Sequence, residues 1–472
     1  MSVLAARGAA LGASGNASLA LTWALALFLL LNAFALNGVL RLVSPAYYSE
    51  TVLNHTSDVL NAEGCDDSWG VMAFALQYAQ SPHTTPLYTE IFFNQRLKFQ
   101  YPPSSLFAIA GMLRLAGPDL VRTAECPDFT PASLNDVLGW LFILMSAVTA
   151  AIMLERGLRQ TLSAPSSGGL ITARAVIVIG FALTFYPIVK AFTLGQIQIW
   201  LNGLFALSLL CWATGWKASS GLLIGLMCLV KPHYGLFVLW AALRREWRFT
   251  VACVAAGVAG LVASIAAFGW TDNIDYLKVF WFLSQHGEVY YPNQSFNGLL
   301  NRLMTLVDPD RYDSLGFDDN GFPPFNPWIY AGTVATSLAI LSAALFRRGN
   351  EGDHDRVLDF CTMALCITMA SPIAWEHHYG ILFPIFAVLL ASVIGSRTRL
   401  ILLAVSYMVI SNFFPVANLL ANTVFNLAQS YLLFAALVVL ALLHTARPGW
   451  RLGGLPFGRG RGRVPAPALK LQ

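Results

Sequence analysis

Long apolar stretches recur along the whole 472-residue chain, and they restrict it to folds that cross a membrane. The first, Leu19–Leu40, is long enough as a helix to span about 30 Å of hydrocarbon. The polar segment 41–103 separates it from the next apolar stretch and contains Asp66 and Asp67. Only helices and closed barrels cross a bilayer, so this segment must lie at one membrane face. The sequence therefore predicts an all-α polytopic membrane protein with a large first outer loop.

Composition excludes a large soluble catalytic domain. Hydrophobic residues make up 56% of the chain and charged residues 11%, against about 25% charged in ordinary soluble domains. The net charge of +4 does not indicate nucleic-acid binding, because much of the excess lies in the segment 446–472. Basic residues after a last membrane helix mark the cytoplasmic side. We expect a membrane domain over residues 1–445, with an uncleaved N-terminal anchor, and a disordered cytoplasmic tail over 446–472.

Ten stretches are predicted to cross the bilayer: 19–40, 134–154, 171–189, 196–214, 249–268, 326–346, 356–374, 378–395, 399–413 and 430–444. Two shorter stretches, 104–117 and 220–243, must either both cross once or both fail to cross. The arrangement in which neither crosses leaves more arginine and lysine in the cytoplasm. We therefore expect both termini inside and outer loops at 41–133 and 269–325.

The two shorter stretches receive separate structural predictions. The first, 104–117, follows Pro102 and Pro103, which suit a helix start, and it is too short to cross comfortably, so we expect a helix at the outer interface. The second, 220–243, is interrupted at Lys231-Pro232, where proline removes a helical hydrogen bond and disfavours helix at the preceding residue. The pattern predicts a re-entrant pair of half-helices, which is tolerated where it lines a cavity.

A lysine at membrane depth, Lys231, is the least expected residue of the chain. An ionised side chain at the bilayer centre costs about 2.5–3.5 kcal/mol and is usually paired or functional. Snorkelling to the interface is the plain alternative, but the proline break and His233 favour a cavity with a bound anion such as a phosphate. His377 and His378 either belong to such a site or are interface histidines without a role. They lack a third ligand at helical spacing, so we predict no metal.

Two adjacent acids, Asp66 and Asp67, precede an apolar stretch that is predicted to be helical. Acidic residues at a helix start serve as caps, and a carboxylate over a membrane cavity is also a natural general base for a sugar hydroxyl. The two roles are compatible. Nearby Cys65 and the more distant Cys126 both lie in polar connections that face an oxidising compartment in this topology, so we predict a disulfide between them.

Several short motifs occur in order along the chain: the acidic pair followed by Leu87-Tyr88, then Tyr101-Pro102-Pro103, Gly195-Gln196, Lys231-Pro232, Asn293-Gln294-Ser295 and Ser371-Pro372-Ile373-Ala374-Trp375-Glu376-His377-His378. This order resembles the family 87 glycosyltransferases over about residues 19–443. The resemblance implies the GT-C fold and an activity like that of the polyprenol-phosphate-mannose-dependent α-1,2-mannosyltransferases. It also implies that an aspartate of the first outer loop is the base, here Asp67 or Asp66, and we favour Asp67.

The resemblance further implies an inverting transfer of a single sugar, mannose foremost, from a polyprenyl phosphate to a glycolipid or glycan acceptor. The reaction would take place on the outer face of a bacterial inner membrane. Lys231, Arg302 and His377 or His378 would stabilise the departing phosphate. The remaining substrate-binding residues would be Tyr101, Gln196, Asn293, Gln294 and Trp375. Phosphate is a good leaving group, so no general acid is required, and no metal, nucleotide or other cofactor is expected.

A transporter or flippase of a lipid-linked or small anionic substrate is the alternative from another class, with Lys231 and the acidic pair as substrate or proton sites. Transporters commonly carry matching broken helices in both halves, and here one broken pair stands out. A ligase or polymerase of lipid-linked glycans also has outer loops rich in His and Arg, but its donor and acceptor are both glycans. An assay of the donor separates these possibilities.

Overall fold

The described part of the chain, in a computed structural model, comprises residues 2–43, 45–117, 133–162, 167–305, 322–346, 352–420 and 423–446. Within these ranges the protein is helical, and its one strand-like feature is an isolated bridge between Asn293 and Trp375. The predicted all-α class is therefore confirmed for this part. The predicted cytoplasmic tail lies outside the described residues from position 447 onward.

The α-helices of the described ranges are α1 (Ser2–Leu30), α2 (Asn37–Val43), α3 (Val52–Asn61), α4 (Trp69–Gln80), α5 (Leu106–Ala116), α6 (Leu134–Leu162), α7 (Gly168–Leu183), α8 (Tyr186–Thr193), α9 (Gln198–Ala213), α10 (Lys217–Cys228), α11 (Leu236–Leu243), α12 (Trp247–His286), α13 (Phe296–Thr305), α14 (Pro327–Leu345), α15 (Asp353–Ala370), α16 (Leu382–Val393), α17 (Arg397–Ile410), α18 (Val416–Leu419) and α19 (Tyr431–Thr445). Short 3₁₀ turns precede α5, α11, α16 and α19, at Pro103–Ser105, Pro232–Gly235, Glu376–Ile381 and Asn426–Ser430. The largest buried apolar cluster draws on α6, α9, α15, α16 and α19. A smaller one joins α4 and α5 to residues 87–99.

Six helical segments of the described chain are long and apolar enough to cross a membrane: Asn16–Val43, Leu134–Thr161, Trp247–His286, Pro327–Leu345, Glu376–Val393 and Asn426–Thr445. The protein is thus a multi-pass membrane protein. Three other predicted crossings correspond to α9, α15 and α17, of which α15 begins with several charged residues. Helices α9 and α17 have 16 and 14 residues, or about 24 and 21 Å, less than the usual hydrocarbon thickness. The count of ten crossings stays a prediction.

The predicted span 171–189 is found as a bent pair of helices. The chain bends by 56° between α7 and α8, where Phe185 adopts an extended conformation and Pro187 opens the new helix. A proline near a helix start fixes the backbone angle and has no N–H to lose there. Together α7 and α8 form a seventh apolar segment of the right length.

The predicted outer loop 269–325 begins within α12, which continues as a helix to His286. The position of this loop relative to the membrane stays a prediction. Gly269 has a positive φ of 79° and kinks the helix there, a conformation that glycine adopts without a steric penalty. The second half of α12 carries large apolar side chains on an exposed face, among them Trp270, Leu277 and Trp281. This half contacts residues 83–89 and contributes one wall of the site described below.

The predicted break in the stretch 220–243 is confirmed. Helix α10 ends at Cys228, Lys231 is extended with φ −132° and ψ 94°, and Pro232 begins the turn that leads into α11. The extended backbone at Lys231 is the conformation that a following proline imposes. The predicted helix after Pro103 is also found, as Pro103–Ser105 and α5. Where either element lies in the bilayer stays a prediction.

Backbone pairing fixes the acidic segment against the connection between α8 and α9. The N–H of Asp67 donates to the carbonyl of Leu194 at 3.0 Å, and the N–H of Cys65 donates to that of Thr193 at 2.8 Å. Gly195 lies at the closest approach with a φ of +64°, and a Cβ there would overlap the carbonyl of Cys65. The junction therefore requires glycine on both steric and conformational grounds.

A second junction joins residues 288–295 to the segment that leads into the Glu376–Ile381 turn. Gln294 N–H donates to the Ala374 carbonyl at 2.8 Å, and Glu376 N–H donates to the Pro292 carbonyl at 3.0 Å. These bonds hold Trp375 and the two following histidines in place relative to the end of α12.

Cys65 is disulfide-bonded. Cys126, the partner predicted from the sequence, lies outside the described residues, so the pairing itself stays a prediction. Closing the loop between these two positions would stabilise the fold by roughly 4 kcal/mol in the chain-entropy account, less any strain. Such a bond would hold the first outer loop next to the residues that begin the site.

Candidate active site

A cavity of about 360 Å³ lies where the acidic segment, the break after α10 and the turn before α16 meet. Segments from distant parts of the chain supply its polar wall: Asp67, Ser68, Lys98, Gln100, Tyr101, Gln196, Lys231, His233, Trp375, His377 and His378. Its apolar wall comes from α4, α11, α12, α14 and α15, with Val71, Leu236, Tyr276, Phe280, Leu341 and Ile367. The cavity thus joins a polar chamber to an apolar side, the shape that suits an amphipathic substrate.

The acidic end of the cavity is organised around Gln196. Its amide nitrogen donates to Asp67 Oδ2, and its Oε1 accepts hydrogen bonds from Ser68 Oγ at 2.9 Å and from Tyr101 OH at 3.1 Å. The Ile197 N–H donates to Ser68 Oγ at 3.1 Å. Because two hydroxyls occupy the amide oxygen, the amide nitrogen must face the carboxylate. Burial raises the pKa of Asp67 above its ordinary value, while the hydrogen bond from Gln196 lowers it in part.

The cavity distinguishes the two adjacent acids. Asp67 lines it and is exposed to it, whereas Asp66 is only 7% exposed and does not line it. The Asp66 carbonyl accepts from the N–H groups of Trp69 and Gly70 and so closes the first turn of α4. The choice of Asp67 as the base stays a prediction, and its position favours it.

The basic end of the cavity is built on the extended Lys231. Its Nζ lies 2.7 Å from Gln198 Oε1 and 2.6 Å from His378 Nε2. Gln198 in turn donates to Asn202 Oδ1 at 2.9 Å, and Asn202 Nδ2 donates to the His377 carbonyl at 3.3 Å. The α9 amides therefore connect the broken helix to the histidine turn and hold both basic groups at one wall.

Sequence reasoning missed Glu288. This residue is fully buried on the segment after α12, and its Oε1 accepts from Lys98 Nζ at 2.9 Å while its Oε2 accepts from the Trp375 indole N–H. Burial raises the pKa of Glu288, and the Lys98 charge opposes that shift. No motif could have indicated this role, because Lys98 and Trp375 are 190 and 87 positions away in the sequence.

Three predicted substrate-binding residues are not brought to the cavity wall. Arg302 is 1% exposed, and it donates to Ser430 Oγ at 2.9 Å and to the Asn293 carbonyl at 2.7 Å. Asn293 Nδ2 donates to the Pro372 carbonyl at 3.1 Å, and its Oδ1 accepts from the Ala374 N–H at 3.0 Å. Gln294 donates to two backbone carbonyls within the protein. All three therefore support the loops that carry Trp375 and the histidines.

The other predicted substrate-binding residues do converge. Tyr101, Gln196, Lys231, Trp375, His377 and His378 all line the cavity with Asp67. His377 and Trp375 lie with ring centroids 5.6 Å apart, and the two histidine rings are 4.8 Å apart and nearly perpendicular. In the ranges that the structure describes, no group of three or more His, Cys, Asp or Glu side chains is arranged to hold a metal ion.

The fold defines a multi-pass membrane protein whose helices enclose a partly polar cavity, and the comparisons with known proteins identify it as a hexosyltransferase. The chain belongs to Glycosyltransferase family 87, whose sequence pattern matches residues 99–372. The match includes Tyr101, Gln196 and Lys231 and ends before Trp375. A family that transfers sugars does not favour the transporter alternative.

Two characterised relatives give the comparison more detail. The chain is 25% identical over 333 residues to a polyprenol-phosphate-mannose-dependent alpha-(1-2)-phosphatidylinositol mannoside mannosyltransferase from Mycolicibacterium smegmatis, covering 66% of this chain and 67% of that protein. It is 26% identical over 322 residues to a protein of the same name from Mycobacterium tuberculosis, covering 65% of each chain. The chain thus spans about two thirds of the length of these relatives. No solved structure matches it.

Proposed function

We propose that this protein transfers a mannose from a polyprenyl phosphate to a glycolipid or glycan acceptor, with inversion at the anomeric carbon. The names of both relatives specify a polyprenol-phosphate-mannose donor and a mannoside acceptor, which supports this choice of substrates. The proposal places the reaction on the outer face of a bacterial inner membrane, within a GT-C fold of about ten crossings. It requires neither a metal nor a nucleotide.

The observation that carries the proposal is the position of Lys231. This lysine lines the cavity, and its two hydrogen-bond partners are a neutral amide and an imidazole. Lys98 and Lys190, by contrast, are paired with Glu288 and Glu50. The positive charge of Lys231 is therefore available to a substrate phosphate, which would offset the cost of placing a lysine at membrane depth.

The chemistry follows from the change in charge during transfer. The sugar phosphodiester carries one negative charge, and the departing polyprenyl phosphate carries two. Lys231, with His377 and His378 beside it, would stabilise the second charge as the bond from the anomeric carbon to the phosphate oxygen breaks. Groups that bind developing charge more strongly than the ground state lower the barrier.

Asp67 would act at the opposite side of the sugar. Its carboxylate takes the proton of the acceptor hydroxyl while the hydroxyl oxygen bonds to the anomeric carbon. A single displacement with attack from the side opposite the phosphate inverts the configuration. The raised pKa of Asp67 makes the carboxylate a stronger base than an ordinary aspartate.

The direct test uses purified protein in lipid nanodiscs with radiolabelled polyprenyl-phosphate mannose and a membrane glycolipid extract. We expect labelled glycolipid from the wild type and none from Asp67→Asn, which should still bind the donor. Asp66→Asn, the matched control, should retain transfer. If Asp67→Asn, Asp66→Asn and the double variant all remained active, the mechanism would be refuted. If the sugar were transferred from a nucleotide sugar instead, the proposed polyprenyl-phosphate donor would be refuted.

The proposed orientation has a separate test. In intact cells, a membrane-impermeant thiol reagent should label a cysteine introduced near Gln196 or Gln294 and should spare one near Lys217 or Arg245. The background variant lacks the native cysteines. Labelling at Lys217 with protection at Gln196 would reverse the proposed faces and would leave the proposed chemistry untouched.

A further inference from the structure

The second lysine of the cavity, Lys98, lies in a different electrostatic setting from Lys231. Its ammonium forms a 2.9 Å ion pair with Glu288 and lies 5.0 Å from the centroid of the Phe322 ring. Its side chain is 24% exposed, and it lines the cavity together with Asp67. Glu288 is fully buried and does not line the cavity. The carboxylate therefore contacts two groups of the cavity wall without reaching the substrate space itself.

Four backbone and side-chain contacts fix the position of Glu288. Its N–H donates to Asn297 Oδ1 at 3.2 Å, and its carbonyl accepts from Asn293 Nδ2 at 2.7 Å. Its two carboxylate oxygens accept from Lys98 and from the Trp375 indole. A buried carboxylate held in this way costs desolvation energy that a purely structural contact could avoid with an amide. A carboxylate at this position places a negative charge next to the cavity wall, which an amide of the same size would not do.

We propose that Glu288 is a positioning residue whose carboxylate holds the Lys98 ammonium and the Trp375 indole at the cavity wall and thereby sets the net charge that faces Asp67. The inference rests on the proposed role of Asp67 as the base. With Glu288 in place, its negative charge offsets the Lys98 charge. Without it, the net charge beside the base would be more positive by one.

The charges of Lys98, Asp67 and Glu288 affect one another's pKa values. The Lys98 charge lowers the pKa of Asp67, against the larger upward effect of burial, and the Asp67 charge raises the pKa of Glu288. Lys190 on α8 also lowers the pKa of Asp67. The other titratable groups around the cavity are Asp66, Tyr101, Lys231, His233, Tyr276, His377 and His378. The two variants below change none of them.

The test is the acid limb of the pH profile of kcat/KM for the full-length enzyme in nanodiscs. Glu288→Gln keeps the size and a hydrogen-bonding oxygen but removes one negative charge beside Lys98 and Asp67, so the limb should move to lower pH by about one unit. Lys98→Gln removes the cation and leaves the acid, so the limb should move to higher pH by a similar amount. The double variant should return the limb toward that of the wild type.

Two controls separate charge from structure. Lys98→Arg keeps the charge and should keep the limb within about 0.3 unit of the wild type. Trp375→Phe removes the indole N–H that Glu288 accepts, so it should lower activity without moving the limb. If Glu288→Gln does not fold, as judged by size-exclusion chromatography, the upward shift in Lys98→Gln and its absence in Lys98→Arg still test the inference.

The outcomes distinguish this inference from the proposed function. If Asp67→Asn is inactive but the limb stays in place in both Glu288→Gln and Lys98→Gln, the inference is wrong and the base assignment survives. If both variants move the limb in the same direction, the inference that Glu288 offsets the Lys98 charge near Asp67 is also wrong. If Asp67→Asn remains active, the proposed function fails first.

Discussion

Replacing Lys231 with methionine tests the proposed phosphate site most directly. Methionine keeps much of the side-chain volume but removes the charge and the contacts to Gln198 and His378. Loss of one group that stabilises developing negative charge in a protected site costs roughly 10²–10³ in rate, or about 2.7–4 kcal/mol. The donor phosphate is already charged before reaction, so part of the loss should appear as weaker donor binding. We expect kcat/KM for the donor to fall by about 10²–10³.

The assay measures initial rates of mannose transfer over a range of donor concentrations, which separates kcat from KM. Lys217→Met is the matched control because Lys217 begins α10, the helix that ends just before Lys231. Its ammonium lies 3.0 Å from the centroid of the Trp212 ring, away from the cavity lining. It should transfer at the wild-type rate. Thermal unfolding should change little in Lys231→Met, since loss of the two hydrogen bonds is offset by removal of a desolvated charge.

The reasoning would be refuted if Lys231→Met retained kcat/KM within threefold of the wild type. A drop in activity matched by an equal drop in Lys217→Met would indicate a general effect on α10 instead. A raised KM with unchanged kcat would mean that Lys231 binds the phosphate equally in ground and transition states. That last result would keep the phosphate site and remove its catalytic part.

Three further outcomes are expected. Gly195→Ala should lower the unfolding midpoint in detergent by several degrees and reduce transfer, because of its positive φ and the overlap with Cys65, whereas Gly111→Ala, at an open position on α5, should lower neither. Mass spectrometry should find Cys65 and Cys126 protected from alkylation until reduction, and alkylation of both before reduction would contradict the predicted bond. The wild-type rate should fall as pH decreases through an apparent pKa above the usual aspartate value of about 3.9, because burial raises the pKa of Asp67, and full activity at about pH 3 would contradict that base.

Features with a local chemical cause could be predicted from the sequence. The break at Lys231-Pro232 follows from the geometry of a single proline, and the six apolar helices follow from length and composition. The bend between α7 and α8 was missed because the apolar stretch runs through it without interruption. Helix α12 runs past Gly269 although the outer loop was expected to begin there. Apolar length alone does not show where a helix bends.

Among the residues predicted for the site, those of a type that is costly in apolar surroundings line the cavity, and the commoner polar types do so less regularly. Lys231, in a break between two apolar helices, and the pair His377 and His378 all line the cavity. Amides such as Asn293 and Gln294 serve equally well as substrate ligands or as backbone clamps. Their role depends on contacts made across the chain, which the sequence pattern does not contain. Glu288 was missed for the same reason.

The arrangement of charges in the cavity explains why the site uses two lysines in different ways. Lys98 is paired with a buried carboxylate and lies near the base, where an unbalanced cation would weaken the basicity of Asp67. Lys231 contacts neutral groups and lies on the wall where the phosphate would depart. An enzyme that takes a proton at one end of the sugar and releases negative charge at the other needs this asymmetry. Gln198→Glu would give Lys231 an acidic partner like that of Lys98. It should therefore impair donor binding more than Gln198→Ala, which only removes the amide. Equal effects of the two substitutions would contradict the argument.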